Sequence, residues 1–202
     1  MTEQTDPDVS RAVAAVQGAP WLAGAVAQVA ADPAAIGPLF ASVGRHCGRG
    51  PVATAPGWST DDAARVRLLM ALPGRGGELA GQVTPLYRQG SAAAKRAVLR
   101  ALPVLDVGDA AVPLLHDAIR TNDPRLLAAA LGPYAARLDA AAWRQAVLKC
   151  VFMGVPLRHV ADLARRADAE LASMLAGLAQ ERAAAGRALA EDAAALLRSL
   201  TD

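Results

Sequence analysis

The stretch DAELASMLAGLAQER, Asp168 to Arg182, decides the fold class. Leu171, Met174, Leu175 and Leu178 recur at intervals of three and four, which places them along one side of a 3.6-residue helix, with Gln180 and Glu181 falling elsewhere. Asp168 precedes the run as a capping carboxylate. Leu189, Ala193, Leu196, Leu197 and Leu200 repeat the pattern near the C-terminus. No segment shows the sustained apolar/polar alternation of a half-buried strand.

Composition extends that reading to the whole chain. Of 202 residues, 53% are hydrophobic but only 3% aromatic, and alanine supplies much of the apolar share. Alanine loses no side-chain entropy in a helix, while the β-branched and aromatic residues that favour strands are sparse. Helix starts are punctuated by Asp6-Pro7 and Asp32-Pro33, with proline at the first helical position, by Ser59 before Thr60, Asp61 and Asp62, and near Ser91, Asp109, Asp123-Pro124, Asp139 and Asp168. Stops fall at Pro73-Gly74, Gly90, Pro103, Gly154 to Pro156 and Gly186. These signals predict an all-α protein of about ten to twelve helices.

Between Gly44 and Trp58 the sequence is rich in Gly and Pro and lacks helical periodicity. It suggests an N-terminal helical part at 1–45, an irregular connection at 46–58 and a main stack at 59–202, in one compact domain overall. Arg96 to Pro103 followed by Asp109 to Leu115 resembles Arg125 to Gly132 followed by Asp139 to Trp143, an offset of roughly 30 residues. That weak repeat predicts stacked antiparallel helical hairpins, either a HEAT- or armadillo-like solenoid or a compact bundle.

The formal charge of +2 is spread along the chain, so no basic tract offers a surface that tracks phosphates, and nucleic acid is not an expected partner. Cys47 and Cys150 stand far apart without a CxxC or a neighbouring ligand histidine, which points to reduced thiols and no metal site. Met1 to Asp8 carries Glu3, Asp6 and Asp8 and leads into no signal-peptide core; Pro20 to Ala31 is too short and alanine-rich to span a bilayer. A cytoplasmic protein without a transmembrane segment is expected. Nucleotide-binding, zinc-protease and nucleophile-elbow motifs are missing, as is a paired-carboxylate motif, so no cofactor is called and the balance leans away from an enzyme.

One segment breaks the simple amphipathic pattern. From Asp139, Trp143, Val147 and Cys150 form one stripe while Leu148 and Phe152 extend apolar character to the opposite side, as in a helix at the middle of a bundle. Gln145 and Lys149 then project together from a buried element. Lys149 is either a desolvated, anion-binding lysine or a stem packed on apolar neighbours with its ammonium in water. Arg120, Asn122 and Asp123 sit at a helix junction, where they cap helix ends or pair with a ligand anion. Asp61 and Arg65, four apart, read by default as a surface ion pair, with Trp58 beside them able to wall a pocket. Glu181 and Arg182 point about 100° apart, so both cannot face one small site, and at least one is expected in an interhelical salt bridge. His46, His116 and His159 lack convergent partners in sequence.

Several of these segments occur in a fixed order: Gly57-Trp58-Ser59-Thr60-Asp61-Asp62-Ala63-Ala64-Arg65, Arg120-Thr121-Asn122-Asp123, Pro133-Tyr134, Trp143-Arg144-Gln145-Ala146-Val147-Leu148-Lys149, Gly154-Val155-Pro156-Leu157, and Glu181 to Arg187. In this order the chain resembles EboA proteins over roughly Trp58 to Arg187. It departs from them at Ala183, Arg144 and Leu131-Gly132, as a divergent member would. The resemblance implies a bacterial component of a gene cluster that makes or moves a secondary metabolite, with hydrolase-like, prenyltransferase-like and cyclase-like proteins and a small polar metabolite such as a cyclitol as its expected partners. Two readings follow. The first is an accessory or scaffold protein that binds these partners. The second is an enzyme or carrier for a sugar phosphate or cyclitol, with Lys149, Gln145, Arg120 and Tyr134 converging in a helix-lined pocket.

Overall fold

A computed structural model of the chain describes residues 6–201, and among them the fold is all-α, with twelve α-helices, four short 3-10 turns and no strand. Glu3, part of the acidic N-terminal segment, lies outside the described residues. The chain divides into two compact units, Met1–His116 and Asp117–Asp202.

In the first unit α1 (Pro7–Val16), α2 (Pro20–Ala31) and α3 (Ile36–His46) all pack on α4 (Thr60–Leu69), and α6 (Ala92–Ala101) packs on α4 and on α5 (Gly76–Gln89). Residues 46–58, expected to separate an N-terminal part from the main stack, therefore lie inside this unit. They form an ordered loop: Val52 N–H donates to Trp58 O at 2.9 Å, Thr60 N–H donates to Gly50 O at 2.8 Å, and Pro51 and Ser59 make an isolated antiparallel bridge. α7 (Val112–Arg120) starts at the end of the first unit and finishes in the second. There, α9 (Ala140–Met153) packs on α8 (Pro124–Ala130) and α11 (Ala169–Ala184), α11 packs on α12 (Glu191–Thr201), and α10 (Leu163–Arg166) is a single turn.

The capping signals are realised in atomic detail. Asp6, Asp32, Ser91, Asp123, Asp139 and Asp168 each accept a backbone N–H with their side-chain oxygen at the start of a helical segment. Two starts differ from expectation. The helix expected near Asp109 begins at Val112, after a turn closed by Val112 N–H on Asp109 O. Ser59 stands at the N-cap of α4 but makes no capping bond, because its hydroxyl is used elsewhere.

The helix buried on nearly every side is α4 and not α9. Asp61 to Val66, Leu68 and Leu69 are all buried, and the small Ala63 and Ala64 let the neighbouring helices approach closely. α9 buries Trp143, Ala146, Val147, Cys150 and Val151, whereas Gln145 is exposed and Phe152 is 72% exposed. Apolar residues on two faces of a sequence do not require two covered faces, since single exposed hydrophobic side chains are common. No single helix is long and apolar enough to cross a membrane among the described residues.

Candidate functional site

The segment Trp58 to Arg65 builds a buried charge cluster. Asp61 and Arg65 form an ion pair, Arg65 Nη1 to Asp61 Oδ2 at 2.6 Å, with side chains only 3% and 5% exposed; the surface pair expected from the sequence is thus an interior one. The Ser59 hydroxyl donates to Asp61 Oδ1 at 2.7 Å, and Arg65 Nε donates to Phe40 O in α3 at 3.2 Å. Burial pushes the Asp61 carboxyl up, but the Ser59 and Arg65 hydrogen bonds and the charges of Arg65 and Arg96 outweigh it, so Asp61 titrates below the ordinary carboxylate range. Asp62, fully buried, faces the other way and takes Arg96 at 2.8 Å and Arg100 at 3.0 Å, both from α6. Arg100 also donates to Gly57 O at 3.0 Å and lies over the Trp58 ring at 4.6 Å from its centroid. Trp58 is buried beneath that guanidinium and walls no part of the groove that runs beside the cluster.

Beside the cluster, within the first unit, runs an open groove of about 830 Å³. Ile36 and Phe40 of α3 form one wall, Gln82, Pro85 and Leu86 of α5 the other, and Arg65 reaches it from α4. Gly90 and Ala94 close one end, where a Cβ on Gly90 would stand 2.4 Å from Leu86 O in α5 and 2.7 Å from Ala94 Cβ in α6, so only glycine fits between the end of α5 and α6. Arg65 uses Nε and Nη1 in the bonds above, and its Nη2 makes no hydrogen bond among the described residues. Gln82 Nε2 donates to Pro73 O at 3.0 Å, which orients the amide and leaves Oε1 buried without a partner. Such an acceptor costs about 1–3 kcal/mol until a donor arrives. Volume and lining are those of a small-molecule site, mostly apolar with a few fixed polar groups.

The sequence-chosen residues of the second unit have different tasks. Lys149 Nζ donates to Ile119 O at 2.7 Å and Thr121 O at 2.8 Å, so its ammonium caps the C-terminal end of α7. Arg182 Nη2 donates to Val151 O at 3.2 Å and Phe152 O at 3.3 Å at the end of α9, so Arg182 makes an interhelical carbonyl cap in place of the salt bridge expected for it or for Glu181, which is exposed. Arg166 donates to Ala135 O at 2.6 Å and Leu138 O at 2.9 Å while lying over the Trp143 ring at 4.6 Å. Arg144 clamps Asp168 through Nε at 2.9 Å and Nη2 at 2.6 Å, and Asp168 in turn caps α11. Arg120 pairs with Asp117 at the surface, Asn122 and Gln145 are exposed, and Tyr134 is buried with Arg137 over its ring. Each of the four residues proposed to converge on a ligand is thus engaged or exposed on its own.

Sequence reasoning reached Trp58, Asp61 and Arg65 but missed Phe40, Gln82, Arg96 and Arg100. A usable signal existed for the last two: arginines four apart share one face of α6, matching the demand of a second acidic residue at the start of α4.

No curated protein and no solved structure matches the chain. The family model described as "Metabolite traffic protein EboA" matches residues 51–198, a span containing the charge cluster, the α5 wall of the groove and the carbonyl-capping cations. That description is consistent with an accessory role. The chain therefore belongs to the EboA family, as the order of its short motifs implied.

Proposed function

We propose that this protein is a non-catalytic accessory of a small-molecule pathway that holds a metabolite in the groove between α3 and α5. The observation that carries this reading is the division of labour among polar groups. Asp61, Asp62, Arg96, Arg100, Lys149, Arg166 and Arg182 are occupied in bonds that hold helices together, while Arg65 Nη2 and Gln82 Oε1, on two side chains of the groove wall, have no hydrogen-bond partner among the described residues. Among the described residues no groove-wall hydroxyl is hydrogen-bonded to a base, Ser91 being used to cap α6, and such a groove suits binding and release better than bond making. Two unbridged cysteines support a reducing, cytoplasmic setting.

The test is recovery of the ligand. Protein purified without denaturation from its own host, then denatured and extracted, is expected to release one small molecule near one-to-one ratio by mass spectrometry. Ala41→Trp, which places an indole into the groove from an exposed position of α3, is expected to release none. Equal recovery from both proteins, or no recovery together with no thermal shift in host extract, contradicts the reading.

A further inference from the structure

The groove discriminates by charge, and we infer that its occupant is a neutral, largely apolar molecule carrying one hydrogen-bond acceptor and one hydroxyl or N–H donor, not a phosphate or carboxylate. The inference rests on the ligand-holding reading above and specifies the class of ligand.

Arg65 is the sole cation on the groove wall among the described residues, and its charge is already matched by Asp61 at 2.6 Å. With Nε on Phe40 O and Nη1 on Asp61, the two-pronged edges that grip a carboxylate or phosphate are in use. Nη2 alone can donate, which suits a single neutral acceptor such as a ketone, ester or amide carbonyl. An anion placed there would share one guanidinium with a buried carboxylate, while Glu78, also on the groove wall, adds negative charge. Like charges on the same groove disfavour the ionised ligand. On the opposite wall, Gln82 Oε1 lacks a donor because the amide nitrogen is fixed on Pro73 O; the oxygen is buried although the side chain lines the groove, so an O–H or N–H brought there satisfies it as the amide swings outward. Phe40, Ile36, Pro85 and Leu86 provide apolar surface for the rest of the molecule, and the Phe40 ring already lies under Arg65 at 5.6 Å.

Three matched probes separate the terms: methyl 6-hydroxy-2-naphthoate, its free acid, which is a carboxylate at pH 7, and methyl 6-methoxy-2-naphthoate, which lacks the donor. Each is titrated into the full chain by calorimetry, with circular dichroism confirming that every variant is folded. The hydroxy ester is expected to bind tightest, the carboxylate at least tenfold more weakly and the methoxy ester roughly threefold to tenfold more weakly. In Gln82→Leu the hydroxy and methoxy esters should become equal, and Ala41→Trp should bind none of them. If the carboxylate binds as well as the ester and Ala41→Trp still abolishes binding, the neutral class is overturned and the groove survives as a ligand site. If hydroxy and methoxy esters bind alike in wild type, the role of Gln82 is overturned. If no probe binds at millimolar concentration, or Ala41→Trp changes nothing, both the ligand class and the groove reading fail.

Discussion

Asp61 and Asp62 are adjacent, both buried, and turned by the helix toward different arginines, Arg65 within α4 and Arg96 with Arg100 from α6. Burying such charges is tolerated only because each carboxylate is paired and hydrogen-bonded, so the single substitution is more damaging than the double. Asp61→Ala strands the Arg65 guanidinium in the interior and is expected to cost about 3–5 kcal/mol, whereas Asp61→Leu with Arg65→Met should cost far less. Urea unfolding of the three proteins checks this, and a single-mutant loss below about 1 kcal/mol would show a solvated pair. The two thiols offer a second contrast. Burial raises the Cys150 thiol to about 12 and also raises that of Cys47, yet Cys150 is inaccessible while Cys47 is partly exposed. A thiol reagent should therefore label Cys47 in the native protein and Cys150 only after unfolding; prompt labelling of both would contradict the packing of α9. At this scale the sequence was partly legible. Aspartates that cap helices act within three residues of themselves and were readable, but Arg65 finds Phe40 O and Gln82 finds Pro73 O across intervening turns and loops that no local pattern encodes.

Helix ends are the next scale, and in the second unit cations secure them. Lys149, Arg166 and Arg182 each place a charged donor on two backbone carbonyls at the end of a helical segment, where the helix dipole is negative. Lys149→Met keeps the stem and removes the charge. Its expected cost is about 1–3 kcal/mol of unfolding free energy, read by denaturant titration, with amide exchange speeding up at Thr121 to Asp123; unchanged stability would return Lys149 to the list of ligand candidates. Asp168 couples two helices, accepting Leu171 N–H at the start of α11 and the bidentate Arg144 of α9, and the Arg144 hydrogen bonds and the Leu171 N–H hold its carboxyl down at about 2. Because the folded value lies below that of the unfolded chain, the stabilisation is present above the ordinary carboxylate range and is lost as pH falls from about 4 through about 2. Arg144→Ala should move the Asp168 titration upward in an NMR pH series, and no movement would contradict the clamp. Helix existence and most starts were legible here because caps and prolines are local. The target of Lys149 was not, since an ammonium on a carbonyl 30 residues away leaves the same sequence signature as one that binds an anion.

Over the whole molecule, Asp61, Asp62, Arg65, Lys149 and Arg182, all within the family-matched span, hold helices to one another, and the groove uses only the edge of that network, at Arg65. The groove draws Ile36, Phe40 and Ala41 from outside the family-matched segment and Arg65, Gln82 and Leu86 from within it, so motif order identifies the family without outlining the cavity. Fold class was legible throughout because alanine content, caps and breaks all agree. The site was not, because it depends on which of several similar helices becomes central, and α4 was disguised by its charges. The central claim, that motif cations hold structure while the groove holds ligand, is tested by measuring hydroxy-ester affinity and unfolding free energy in Ala41→Trp and Lys149→Met side by side. The expected result is lost affinity with retained stability for Ala41→Trp, and retained affinity with reduced stability for Lys149→Met. The reverse pattern, binding abolished by Lys149→Met and untouched by Ala41→Trp, would contradict it.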